Sequence, residues 1–285
     1  MKIKNITKKH KRYPAYFLEI ASPPKELYIL GEDLDSYLPA VTIVGSRKLT
    51  AYGREVTYRL SYDLAKQGVT IVSGLALGAD GVAHQAALDA RGRTIAVLAG
   101  GLDSIHPSSH RNLAIDILKH SGSLISEHPE GRPPLKQNFV ARNRLVAALS
   151  DMVIVTEAAE ASGSLITARF ALEQNKLVGA IPGNITSGQS VGTNNLIKSG
   201  ATPITSAQDV LDALGIQATE RQRAEVFGDT KEEQLIIDII REGITELDHI
   251  QSKSELDPAL FNQTITMLEI SGKIRPLGAA HWTLS

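Results

Sequence analysis

One pattern constrains this chain more than any other. Six times, a short run of aliphatic and β-branched residues stops at small or polar ones. The runs at 41–44, 69–72, 94–99, 123–125, 152–155 and 177–181 end in Gly45-Ser46-Arg47, Ser73-Gly74, Gly100-Gly101, Ser126-Glu127, Thr156-Glu157 and Pro182-Gly183. Stretches with helical spacing separate them, such as Val56, Leu60 and Leu64 after the first. Short, nearly continuous apolar runs alternating with helices predict a mostly parallel sheet covered on both faces, a Rossmann-like, doubly wound α/β domain. All six runs then end on one edge, where ligands of such sheets bind. Glycine punctuates many strand–helix turns, so one such ending carries little weight. Six on one edge mark a functional surface.

The order along the chain divides it further. Residues 1–40 read as a basic tail and an extended, proline-containing lead-in, and 41–215 as the sheet domain. Residues 216–229 are polar and read as a linker. From 230 to 285 the pattern changes to three helices (231–241, about 246–253 and 258–271) and two short strands around a turn, which together describe a winged-helix module. No cysteine occurs, so disulfides and thiolate metal sites are excluded. No apolar run approaches membrane-spanning length, and a soluble, cytoplasmic protein without cofactor is expected.

Charge places a polyanionic ligand. The net charge is only −1. Lys2, Lys4, Lys8, Lys9, Lys11 and Arg12 make a basic beginning, read either as a solvated tail or as a polyanion contact. The last third is acidic, so a polyanion should meet the first two-thirds.

Neither G-x-G-x-x-G after the first run nor G-x-x-x-x-G-K-[ST] occurs, which excludes the common dinucleotide and NTPase loops. The edge still offers Gly45, Ser46 and Arg47 at a helix N-terminus, suited to an anion. Richest is the segment 136–144, where Lys136, Arg142 and Arg144 surround Phe139 and Asn143. Cations with an aromatic that stacks a base are what single-stranded nucleic acid requires. The competing reading puts Phe139 in the core and the arginines in salt bridges. Glu127 and Glu157 could pair as acid and base, although ion pairs to Arg142, Arg144 or Arg47 are favoured. His84 and His106 lack a metal-ligand pattern, and Ser162-Gly163-Ser164 reads as a helix cap rather than a nucleophile elbow.

Taken together, Val44-Gly45-Ser46-Arg47, Ser73-Gly74-Leu75-Ala76, Phe139-x-x-Arg142-Asn143-Arg144, Ser162-Gly163-Ser164 and Gly192-x-Asn194-x-Leu196-Ile197 resemble the DNA processing protein A (DprA/Smf) family. The resemblance runs over residues 13–210. It implies a non-enzymatic, sequence-independent single-stranded DNA-binding homodimer that protects DNA and loads the RecA recombinase in natural transformation. It further implies DNA contacts at Gly45, Ser46, Arg47, Gly74, Lys136, Phe139, Arg142, Asn143, Arg144, Ser162 and Gly163, and dimer contacts at Asn194, Asn195, Leu196 and Ile197. An enzyme acting on a nucleotide or phosphoribosyl compound at the same edge is the alternative. Two departures stand out. Ile105-His106-Pro107 lies where members show Tyr-Pro, and no stretch matches the N-terminal helical domain that many members carry.

Overall fold

The computed structural model describes residues 2–34, 39–216, 228–278 and 281–284. The chain divides into two compact units, Met1–Ala218 and Thr219–Ser285.

The first unit runs β1 (Lys4–Thr7), β2 (Glu26–Gly31), β3 (Ala40–Val44), α1 (Ala51–Lys66), β4 (Thr70–Ser73), α2 (Ala79–Asp89), β5 (Thr94–Val97), α3 (Arg111–Lys119), β6 (Ser123–Ser126), α4 (Lys136–Ala148), β7 (Met152–Val155), α5 (Ser164–Glu173), β8 (Leu177–Ala180), α6 (Val191–Lys198), β9 (Thr202–Pro203) and α7 (Ala207–Ala213). The strands form one sheet in the order β1-β2-β6-β5-β4-β3-β7-β8-β9. From β6 to β9 every pairing is parallel, with Val41 of β3 opposite Ile71 of β4 and Met152 of β7. Alternation sends successive side chains to opposite faces. Val41 and Ile43 meet Leu60 and Leu64 of α1 and Val210 of α7, while Val44, Val72 and Val153 meet Leu145 of α4 and Ala168 of α5. The expected doubly wound α/β fold is present.

The first forty residues differ from the expectation. Instead of a tail and lead-in, β1 and β2 extend the sheet, β2 pairing antiparallel with β6 and β1 with β2. Leu27 and Ile29 are buried in the larger core with Phe17, and Lys4 pairs with Asp33 at 2.8 Å. The alternating burial of β2 is the signature of a half-covered strand. The surrounding prolines hid it.

Most of the predicted linker, 217–227, lies outside the described residues. The second unit comprises α8 (Lys231–Arg241), α9 (Leu247–Ser254), α10 (Pro258–Ile270), β10 (Ile274–Gly278) and β11 (His281–Leu284), the last two antiparallel. Caps set its helices: Thr230 accepts from the Glu233 amide, and Asp257 from that of Ala259 with Pro258 following. Ile236, Ile240, Phe261, Ile265 and Leu268 form its core. Three helices and a hairpin make the predicted winged helix, and α10 carries no lysine or arginine.

Candidate nucleic-acid interface

The chain order reverses across β3, with β4, β5 and β6 on one side and β7, β8 and β9 on the other. At this switch point the strand ends leave a crevice. A cavity of about 410 Å³ opens there, lined among others by Gly45, Arg47, Ala76, Phe139, Asn143 and Ser162.

Close packing fixes the β3–α1 loop. A Cβ on Gly45 would lie 2.8 Å from Ala79 Cβ and 2.9 Å from Thr156 Oγ1. The Ser46 amide donates to the Glu157 carbonyl at 2.7 Å, and the Ser46 hydroxyl exchanges hydrogen bonds with the Lys48 backbone. The β4–α2 loop is pressed against this loop at Gly78, whose φ is +78° and whose Cβ would fall 2.2 Å from the Ser46 carbonyl oxygen. Only glycine fits there. Above this frame Arg47 and Lys48 stand exposed.

The α4 residues separate by face. Phe139 is half-buried, with the Arg47 guanidinium 5.7 Å from its ring centroid and the His106 ring edge-on at 5.5 Å. This disposition is not the core reading: Phe139 belongs to none of the buried apolar clusters among the described residues, and its ring lines the cavity. Lys136 is exposed at the first turn. Arg142, expected as an exposed DNA contact, is 4% exposed. Its Nη1 donates to the carbonyls of Gly74 (2.6 Å) and Val97. Asp80, also buried, accepts from the amides of Gly74 and Ala76 at 3.0 and 3.3 Å. Burial pushes the Asp80 carboxyl up and lowers Arg142 to about 10, each opposed by the attraction of the other. Arg142 therefore stays charged at neutral pH and ties α4 to the ends of β4 and β5. Gly74 leaves room for that guanidinium, since its Cβ would sit 2.5 Å from Arg142 Nη2.

Arg144 points elsewhere. It forms a two-pronged pair with Glu127 (2.8 and 2.6 Å) and donates to the Ser22 carbonyl, binding the first forty residues to α4. Glu127 thus pairs with an arginine as favoured, whereas Glu157 does not. Its buried carboxylate accepts from the amide and hydroxyl of Thr50, the N-cap of α1. Neither glutamate lines the cavity. At the start of α5, Gly163 holds the N-cap position without a side-chain bond, while the Ser162 hydroxyl accepts from the Ser164 amide at 3.4 Å and meets the Ser164 hydroxyl at 2.8 Å beside the cavity. Asn143 accepts from Arg142 Nε at 3.4 Å.

Away from the rim, Asn194 exchanges two 3.1 Å hydrogen bonds with the Gly183 backbone. Leu196 packs on the core, Ile197 is half-buried and Asn195 is exposed. His84 is buried, its Nδ1–H directed at the Thr94 hydroxyl at 2.6 Å rather than at a carbonyl. Among the described residues no group of His, Asp and Glu could hold a metal, and no helix is long and apolar enough to cross a membrane. Sequence reasoning missed Asp80, Thr50 and the His106–Phe139 contact. Only Asp80 had a signal, as an acid in the first turn of a helix that follows a strand end.

Comparison with known proteins agrees with this geometry. Residues 4–215 match the family model described as DNA recombination-mediator protein A. Protein Smf of Escherichia coli is 46% identical over 202 residues, 71% of this chain and 54% of that protein, so the chain spans about half of that relative. DNA processing protein DprA of Bacillus subtilis is 42% identical over 222 residues, 76% and 74% of the two chains. Two solved structures superpose on the fold. DNA processing protein A of Streptococcus pneumoniae does so with a TM-score of 0.69 at 39% identity, covering 74% of each chain. That of Helicobacter pylori, described for its single-stranded DNA binding mode, does so with 0.67 at 35%, covering 75% and 96%. The chain belongs to the DNA recombination-mediator protein A family.

Proposed function

We infer that this chain binds single-stranded DNA, indifferent to base sequence, across the carboxyl rim of its sheet. One observation carries the reading: Phe139 lines the cavity with the Arg47 guanidinium and the His106 ring both against it. Arg47, Lys48 and Lys136 around it form no ion pair among the described residues. Unpaired cations hold phosphates, and the half-buried ring supplies on its open part a stacking surface that accepts any base. The Helicobacter pylori relative, described as binding single-stranded DNA, supports the same use. Gly45, Gly74 and Arg142 contribute by building the rim, Ser46 by fixing its loop, and Asn143, Ser162 and Gly163 by lining the cavity. Arg144 braces α4.

From the bound strand the protein would serve recombination in natural transformation by delivering DNA to RecA, as a homodimer joined near Asn195 and Ile197. The enzymatic alternative lacks an acid–base pair at the cavity, since Glu127 and Glu157 are both engaged elsewhere. Titration of oligo-dT at two salt concentrations tests the central reading. Arg47→Ala is expected to weaken binding and flatten the salt dependence, and Phe139→Ala to cost about 1–3 kcal/mol per stacked base. Wild-type isotherms from both variants would reject it. Light scattering of the free protein tests the dimer.

A further inference from the structure

We propose that Arg132 is a second phosphate contact of the rim, so that a single strand runs across the sheet edge from Arg47 past Phe139 to the loops that follow β5 and β6. This rests on the single-stranded DNA reading above.

Three observations carry it. First, the loop bearing Arg132 is held in place by its backbone. The Gly101 amide donates to the Arg132 carbonyl at 2.8 Å, and the Gly131 amide donates to both oxygens of Asp103 at 3.0 Å. A Cβ on Gly100 would lie 2.9 Å from the Arg132 carbonyl oxygen and 3.0 Å from Pro134 N. Second, the side chain held there is exposed and takes part in no hydrogen bond or ion pair among the described residues. The surrounding carboxylates do not pair with it: Asp103 faces Gly131, Glu127 faces Arg144, and Glu130, two positions away and exposed, forms no ion pair among the described residues. A loop fastened by several contacts to present one unpaired guanidinium is unlike a solvated surface arginine on a helix.

Third, the location continues the interface. A notch lined by Gly100, His106, Pro134 and Phe139 joins the two places, and the Arg132 backbone, bonded to Gly101 after β5, lies on the other side of β4 from β3, which carries Arg47. Arg47 follows β3, and the Arg132 backbone is bonded to Gly101 after β5, two strand spacings away, or about 10 Å at roughly 4.8 Å each. That span exceeds one nucleotide, so the two arginines would hold different phosphates with the base on Phe139 between them.

The test uses the full chain and oligo-dT of two lengths, about 4 and about 16 nucleotides, the range of common single-strand sites. Arg132→Ala should weaken the long oligonucleotide several-fold and reduce the slope of log affinity against log salt by about 0.7, the value for one phosphate of a single strand. The short one should bind as before, seated at Arg47 and Phe139. Arg132→Lys should restore the slope, and Arg91→Ala, an exposed arginine at the opposite end of the sheet, should change nothing. Unchanged affinity and slope for the long oligonucleotide in Arg132→Ala would overturn the proposal. If Arg47→Ala and Phe139→Ala are also silent at both lengths, the underlying reading fails with it. If those two weaken binding while Arg132→Ala does not, only the second contact is lost.

Discussion

At the scale of single residues, two arginines with opposite roles define the proposed interface. Arg47 is exposed over Phe139, and Arg142 is buried under the loops that present it. On the proposed reading, removing Arg47 deletes a phosphate contact and leaves the fold intact. Removing Arg142 strands the Asp80 carboxylate without its countercharge and orphans the Gly74 and Val97 carbonyls. Leaving buried polar groups unsatisfied costs about 1–3 kcal/mol each, so Arg142→Met should lower the urea midpoint, whereas Arg47→Ala should not move it. His84 gives a pH signature of its own. Burial holds its pKa down to about 3 against the ordinary 6.5. The folded state therefore refuses a proton that the unfolded state accepts. Stability from this group is complete above about pH 6.5 and is lost progressively as pH falls toward 3. At pH 5 the loss amounts to about 2 kcal/mol. In His84→Gln the difference in urea midpoint between pH 7 and pH 5 should shrink accordingly; an unaltered difference would place the titration elsewhere.

Among the elements, the rim is a set of loops wedged against one another, and Gly78 is the wedge point. Its positive φ and the 2.2 Å approach of the Ser46 carbonyl leave no space for a side chain. Gly78→Ala should push the β4–α2 loop off the Arg47 loop, lowering both thermal stability and oligo-dT affinity; full affinity would mean that the two loops act independently. How legible these elements were depends on periodicity. Strands β3 to β8 are continuous apolar runs and declare themselves. β2 alternates and sits among prolines, so its place in the sheet was not visible. In α4 the spacing held more than was taken from it. Asn138, Arg142, Leu145 and Leu149 share one helical face, all buried, whereas Phe139 and Asn143 share the next, which lines the cavity. The cation on the apolar face was the structural one. What spacing could not reveal was the partner: Asp80 lies 62 positions upstream, and only the folded sheet brings the two charges together.

Across the whole molecule, charge is divided between the two compact units. Residues 1–218 carry 23 lysines and arginines against 19 acids, and 219–285 carry 7 against 12. A near-neutral total therefore conceals one unit suited to a polyanion and one that repels it. The shape of the second unit points the same way. A winged helix that grips DNA sends bases into the groove from its recognition helix, yet α10 has neither lysine nor arginine and exposes Leu260, Met267 and Ile270 instead. The first unit has its own cores on both faces of the sheet, without any residue beyond Ile216. Expressed as residues 1–218 it should fold cooperatively and bind oligo-dT at least as tightly as the full chain. The slope of log affinity against log salt should be unchanged, because the proposed reading puts every phosphate contact on the rim. Residues 228–285 alone should show no binding. Retention of the oligonucleotide by that fragment, or a reduced salt slope in the larger one, would move part of the DNA site onto the winged helix.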